Sequence, residues 1–409
     1  MTVKIKQKAG AWLAPTLLIL PVSALAAGSY VEARNDAMGG TGVASSHYGA
    51  AALANPALMT RAEPEDRISM ILPAAGIRIS DQDHLTDRVD DISNSVDGYR
   101  GLANGFTFAD YPKLQAAAGD LAQQLRNLRG NTARGSAGAS LVITVPTEQL
   151  DVAFVSRASG TASLATTISQ GDIDYLQGVA DGTVFPFPGD QNRLTSQGRV
   201  RAALVTDYGV AMAKEVAIAG HPISFGLTPK LQKTWLWNYN VSVYNYDKSD
   251  VTDGRNRTSD TGFNLDAGAA TDVGEHWTLG LSAQNLVPRD IDTKEVGGVK
   301  DTWRMRPLVT SGVAWHTDRL TTALDVDLTP TKGFRSLSDS QYAGAGIEYR
   351  LAEWLQLRAG YRADMKGTDA NVATAGVGFS PFQRVHLDLT GLAGEDRTWG
   401  AVAQLGFTF

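Results

Sequence analysis

Residues 398–409 alternate in character at every step, and that rhythm limits what the chain can become. Trp399, Ala401, Ala403, Leu405, Phe407 and Phe409 fall on one face; Gly400, Val402, Gln404, Gly406 and Thr408 fall on the other. A period of two with one greasy face is a strand signal. A strand of this kind closing on a terminal Phe fits the last stave of a barrel that has lipid outside and water or packed polar groups inside. A soluble sandwich also alternates, so the rest of the chain has to decide between them.

The opening residues read as an export signal. Lys4, Lys6 and Lys8 precede an apolar run at 11–20, and Ala24, Leu25 and Ala26 have the small-x-small spacing of a cleavage site. The run is too short for a spanning helix, which needs about 20 residues, so residues 1–26 are set aside as a signal peptide. Residues 27–409 hold no second long apolar run, which argues against a helical membrane bundle. The absence of cysteine removes disulfides and thiolate metal sites, and a wall that closes its own hydrogen-bond ladder needs neither. A net charge of −6 without a long basic block gives no footprint for nucleic acid.

Alternating segments predict fourteen strands, at 67–79, 138–146, 149–160, 200–215, 222–245, 263–271, 276–286, 307–316, 319–328, 341–350, 354–363, 372–379, 385–393 and 398–409. Short connections mostly alternate with longer ones, the pattern of short periplasmic turns and long outer loops. An even count also suits a single-chain bacterial barrel. The expected fold class is therefore all-β, a transmembrane antiparallel β-barrel of about fourteen strands with an N-terminal plug and helical insertions, over residues 67–409. Two insertions fall on the outer side. Residues 80–137 carry an amphipathic helix near 111–128, with Leu114, Ala118, Leu121, Leu125 and Leu128 along one face. Residues 161–199 include Phe185, Pro186, Phe187 and Pro188. Their apolar groups either pack on one another or form a landing site for an amphipathic ligand.

Between signal and first strand lies a small-residue segment, 27–66. It holds Met38, Gly39, Gly40, Thr41, Gly42, Val43 and Ala44, then Asn55, Pro56 and Ala57. Glycine permits tight turns and close backbone approach, and Pro56 fixes a bend. A phosphate loop is the competing reading, but no Gly-Lys-Ser/Thr follows. The two motifs resemble the N-terminal hatch of FadL-type outer-membrane transporters. The string from 33 to 58 is closer still to the TraF-like outer-membrane proteins named for plasmid conjugal transfer. The resemblance implies a fourteen-stranded barrel in the bacterial cell outer membrane, with residues 27–66 folded inside it and Asn55, Pro56 and Ala57 in that plug. A thioredoxin-like protein shares the TraF name; a chain without cysteine is not that one.

Alternation also sorts the lumen. Asp266, Asp325, Asp327, Glu348, Arg350, Arg358, Arg362, His386 and Asp388 fall on the inward face. Their neighbours Leu324, Val326, Ile347, Tyr349, Leu355, Leu357, Tyr361, Leu387 and Leu389 fall outward. An Arg or Lys facing mid-bilayer lipid costs about 2–4 kcal/mol, which selects this register. Glu348 and Arg350 are expected to meet Arg358, Arg362 or Asp327 across strands, filling the lumen or forming a polar path. Such a lumen departs from a hydrocarbon route.

His386, with Asp388 two residues on, is the one inward histidine of a strand. No nucleophile elbow accompanies it, so a structural role outweighs a hydrolase. Asp247, Asp250, Asp253 and Gly254 miss the spacing of a calcium loop, and no zinc spacing occurs. The expectation is a non-enzymatic barrel without cofactor or metal. It would pass or bind a small hydrophobic or amphipathic solute, or serve a plasmid-transfer or envelope partner. The alternative is an interaction barrel with a permanently closed plug whose outer insertions bind a partner.

Overall fold

The computed structural model describes residues 31–63, 66–81, 84–105, 107–187, 189, 194–244 and 254–409. The export signal, Asp247, Asp250, Asp253 and Pro188 lie outside the described residues.

Fourteen antiparallel strands form one closed barrel. In chain order its staves are β1 (Ser69–Ser80), β2 (Thr132–Val145), β3 (Asp151–Thr167), β4 (Gln197–Ile218), β5 (His221–Ser242), β6 (Arg257–Val273), β7 (Trp277–Gln284), β10 (Leu308–His316), β11 (Leu320–Asp327), β12 (Tyr342–Ala352), β13 (Leu355–Asp364), β14 (Val372–Phe379), β15 (Val385–Gly394) and β16 (Thr398–Thr408). Two short strands, β8 (Arg289–Asp292) and β9 (Thr302–Met305), make a separate hairpin. Each stave pairs with its sequence neighbour, and β1 closes on β16 with Ser69 opposite Thr408 and Ile79 opposite Trp399. Closure leaves no stave without two neighbours, although β6 runs ahead of β7, its pairing there starting at Ala267 opposite Ala283.

One end of the barrel carries short turns and the other carries loops. At the turn end β4 and β5 run 22 residues each and meet at Ala219 and Gly220, both with positive φ. Outward side chains are apolar. Leu324, Ile347, Leu357, Tyr361, Leu389 and Trp399 are exposed, and Trp277, Tyr349, Trp354 and Phe379 stand outward towards the turn end. Aromatic residues of this kind ring a barrel where lipid meets water.

The loop end carries a helical cap. Helices α3 (Leu85–Ala103), α4 (Tyr111–Leu128) and α5 (Gln170–Ala180) share one apolar core through Val96, Tyr99, Leu121, Leu125, Ile173 and Leu176. Helix α4 covers the stretch that its apolar stripe predicts. Helices α3 and α5 were not anticipated, and β3 and β4 run further into the loop end than expected.

Residues 31–63 fold inside the barrel as a plug. They form α1 (Ala33–Ala37), α2 (Ala51–Ala54) and a 3-10 turn (Pro56–Arg61). Glu32 caps α1 by accepting from Arg34 N and Asn35 N, and Asn55 caps the 3-10 turn with Pro56 in its first positions, where a missing N–H costs nothing.

Candidate functional site

A plug has no ladder to join, so its backbone groups need other partners. The inward Ser, Thr and Gln side chains of the wall provide them. Ser140 Oγ donates to Val31 O at 2.6 Å, Thr390 Oγ1 to Ala33 O at 2.6 Å, Thr374 Oγ1 to Ala37 O at 2.8 Å and Ser282 Oγ to Ala54 O at 2.7 Å. Gln404 Oε1 accepts from Ala33 N at 3.1 Å. Asp325 Oδ2 accepts from Gly42 N at 2.7 Å and Val43 N at 2.9 Å. Asn55 ties plug to wall, its Nδ2 donating to Val43 O at 2.7 Å and to Ala269 O at 3.1 Å.

Close approach explains the glycines on both sides. Gly39 and Gly40 have positive φ, and a Cβ on Gly39 would meet Tyr361 O at 2.6 Å and Ala345 O at 2.7 Å. On the wall, a side chain at Gly226 would strike Pro56 and Ala57. At Gly280 it would strike Val43, at Gly346 Met38, and at Gly360 Met38 and Gly39. Met38 packs with Ala44, Ala314 and Ala323. The inward glycines thus form a track in which the plug backbone sits.

A chain of charges locks α1 to the wall. Arg34 bonds both carboxylate oxygens of Glu348 at 2.9 Å. Glu348 also takes Arg358 at 2.6 Å, and Arg358 reaches Asp388. The run therefore crosses from plug to β12, β13 and β15. A second buried set joins Lys230 to Asp207 at 3.0 Å and to Asp266 at 2.8 Å, with Arg157 on Asp207 at 2.9 Å. Arg362 lies over the Tyr342 ring at 4.5 Å. Asp327 accepts from Thr310 Oγ1 at 2.8 Å and Tyr342 N at 3.0 Å.

Two residues stand apart from the expected network. Arg350, expected with Glu348 to meet Arg358, Arg362 or Asp327, is exposed at the turn-end rim of β12 opposite Gln356. His386 sits between two hydroxyls, with Ser380 Oγ 2.9 Å from Nδ1 and Thr408 Oγ1 2.5 Å from Nε2, while Asp388 is engaged by Arg358.

The β8–β9 hairpin folds inward from the loop end. Ile291, Trp303 and Met305 pack on Ala203, Val205 and Leu236 of β4 and β5 and on Phe334, with the Trp303 and Phe334 rings edge to face at 5.0 Å. Arg304 pairs with Asp339 at 2.7 Å and Lys332 joins the same carboxylate. Nearby, Asp369 in the β13–β14 loop takes both Arg78 nitrogens at 2.6 Å and the Tyr342 hydroxyl at 2.7 Å. Burial pushes that carboxyl up, but the Arg78 hydrogen bonds and charge outweigh it and bring the pKa down to about 2.

Between plug and hairpin lies a chamber of about 250 Å³. The plug lends it Glu32, Asn35 and Asp36; the wall lends Arg157, Asp325, Asp327 and Arg362; the hairpin lends Trp303, Arg304 and Met305. Such a chamber offers ion-pairing and hydrogen-bonding groups beside one aromatic and one thioether side chain. Sequence reasoning singled out the wall carboxylates and Arg362, but not Glu32, Arg34, Asp36, Arg157 or the hairpin. Arg34 and Asp36 stand within the hatch string, where the glycines drew the reading.

The fold has known counterparts. A deltaS2S3 mutant of the TodX monoaromatic hydrocarbon channel is similar with a TM-score of 0.53 at 12% identity, over 91% of this chain and 97% of that one. The Pseudomonas putida toluene transporter TodX gives 0.52 at 13% identity over 94% and 98%. The CymD monoaromatic hydrocarbon channel gives 0.52 at 10% over 92% and 97%. Identities this low speak for the fold alone. No curated protein matches the sequence. Residues 52–327 match the family described as F plasmid transfer operon, TraF, protein. That match spans more than half of the 409 residues, and by it the chain belongs to the TraF family of the F plasmid transfer operon.

Proposed function

We propose that the barrel stands in the bacterial outer membrane, turn end to the periplasm, as a channel held shut, and that it admits a small amphipathic solute from the loop end into the lumen. The observation that carries this reading is the chamber enclosed between a wall-bound plug and an inward hairpin. The similar folds named as hydrocarbon channels and a toluene transporter support passage as the type of activity. The lining here argues for a cargo with a polar end, because Asp325, Asp327, Arg157 and Arg362 would have to shed water against a plain hydrocarbon. Single-channel recording in planar bilayers tests the idea. The full chain should conduct little, and removal of 33–58 should raise conductance; an unchanged conductance would end the passage reading.

A second reading, service to a plasmid-transfer or envelope partner, is favoured by the cap surface. Phe108 is 92% exposed and Phe187 65%, beside Phe185, which stacks on Tyr111 at 5.6 Å. Under it, trimming the cap helices at 85–128, which lie between β1 and β2, abolishes capture of the partner while the barrel still inserts.

A further inference from the structure

A smaller cavity of about 90 Å³ adjoins the chamber and shares Trp303, Thr331, Lys332 and Tyr342 with it. It lies between the inward faces of β1, β2 and β3 and the 328–341 loop. By liquid volume it has room for about three waters.

Its lining is lopsided in charge. Arg78, Arg134 and Lys332 face one carboxylate, Asp369. Adding Asp339 and Arg304, which pair with each other and with Lys332, leaves the same excess of two positive charges. Arg134 has five N–H groups and gives one to Thr368 O at 2.6 Å. The hydroxyls of Ser80, Thr161, Ser163 and Ser340 complete the rim.

Two further polar groups have no partner among the described residues: Trp303 Nε1 and Ser136 Oγ. Both residues are more than nine-tenths buried, at 4% and 8% exposure. A buried indole N–H can only donate, and buried donors in folded proteins are normally matched. Water would match the donors, but it brings no negative charge to a lining that carries two positive charges in excess.

We infer that this annex binds a small oxyanion, the carboxylate or phosphate end of an amphipathic solute. Trp303 Nε1–H and the Ser136 hydroxyl donate to it, and Arg134 and Lys332 supply the opposing charge. The inference deepens the passage reading and rests on it for the ligand's route. The ring of Trp303, set against Phe334, is the apolar surface next to which the rest of such a solute would lie.

The test is calorimetric titration of the full-length barrel in detergent. Inorganic phosphate and acetate are the two probes, and methylammonium is the cationic control. Saturable heat is expected with phosphate or with acetate and not with methylammonium; which anion binds more tightly identifies the head group. Trp303→Phe keeps the ring and deletes the N–H, and should weaken binding about tenfold or more, as loss of a hydrogen bond to a charged group does. Ser136→Ala and Arg134→Gln should weaken it in the same direction. Retention of the fold is read from heat-modifiable migration; if Trp303→Phe fails there, Ser136→Ala decides. No saturable anion heat from the folded wild type, or unaltered binding in the folded variants, overturns the inference. Conductance of the barrel lacking 33–58 is measured apart. Raised conductance with no anion binding ends this inference alone, and anion binding with unchanged conductance ends only the passage reading.

Discussion

At the scale of single residues, Glu348 carries the most. It receives Arg34 from the plug and Arg358 from the wall, all three largely out of water. Removing one member of a buried ion pair costs about 3–5 kcal/mol, because the partner's charge stays buried. Glu348→Ala should therefore loosen α1 while the staves persist. Limited proteolysis within 33–58 would detect it, and wild-type resistance in the variant would show that the lock is not needed. Asp369 gives a pH test. Its folded-state pKa of about 2 lies below the ordinary 3.8, so its contribution is complete above the ordinary value and is lost as pH falls through about 2. Amide protection at 366–371, exchange being corrected for its intrinsic pH dependence, should be the same at pH 7 and pH 5 and fall sharply only near pH 2; Asp369→Asn should show the lost protection already at pH 7. Alternation assigns each lumenal residue a face, but not a height along the stave. Arg350 shares the inward face with Glu348 yet sits two residues further on, at the open rim. Arg34 carried no periodic signal, since α1 is only five residues long.

Among elements, the β8–β9 hairpin is held to the wall by Asn238, which donates to Lys294 O and Val299 O, and to the 328–341 loop by Arg304. Its latch on Asp339 is partly exposed, with side-chain exposure between 18% and 25%, so each pair contributes about 0.2–1 kcal/mol. Asp339→Asn is expected to free the hairpin without unfolding the wall. Faster cleavage within 293–301 by added protease would report it, and equal cleavage would assign the hold to the Trp303–Phe334 packing and to the bonds from Asn238 and Arg201. The hairpin was invisible in sequence because strands of four residues, one reading Arg-Asp-Ile-Asp and the other Thr-Trp-Arg-Met, are too short and too charged to show a period. Helix α3 was missed for a related reason: Asp, Ser and Gly between its apolar residues blur the stripe that marks α4. The first residues of β2, with Ala, Gly and Ser on both faces, give too little contrast for a period to show.

For the whole molecule, the barrel was legible because lipid imposes one rule on every stave, and turn lengths record on which end each connection lies. The chamber was not legible, since it depends on which stave stands across from which once the wall has closed. The seam of that wall has a further consequence. The stave that follows the plug is paired with the one synthesised last, Ser69 with Thr408. Enclosure therefore waits for the entire chain, and contacts so distant in sequence form slowly. Residues 31–63 must already be in position when the sheet curls shut, since nothing later opens it to receive them. A side chain too large for the glycine track should then appear as barrels that never complete, whereas deletion of 33–58 leaves nothing in the way of the seam. Gly346→Val, which would intrude on Met38, should cut the yield of heat-modifiable protein. Gly391→Ala, where a Cβ meets open space, should leave the yield intact. The order in which the polypeptide emerges places its innermost segment within the curling sheet before the last stave arrives to close the cylinder.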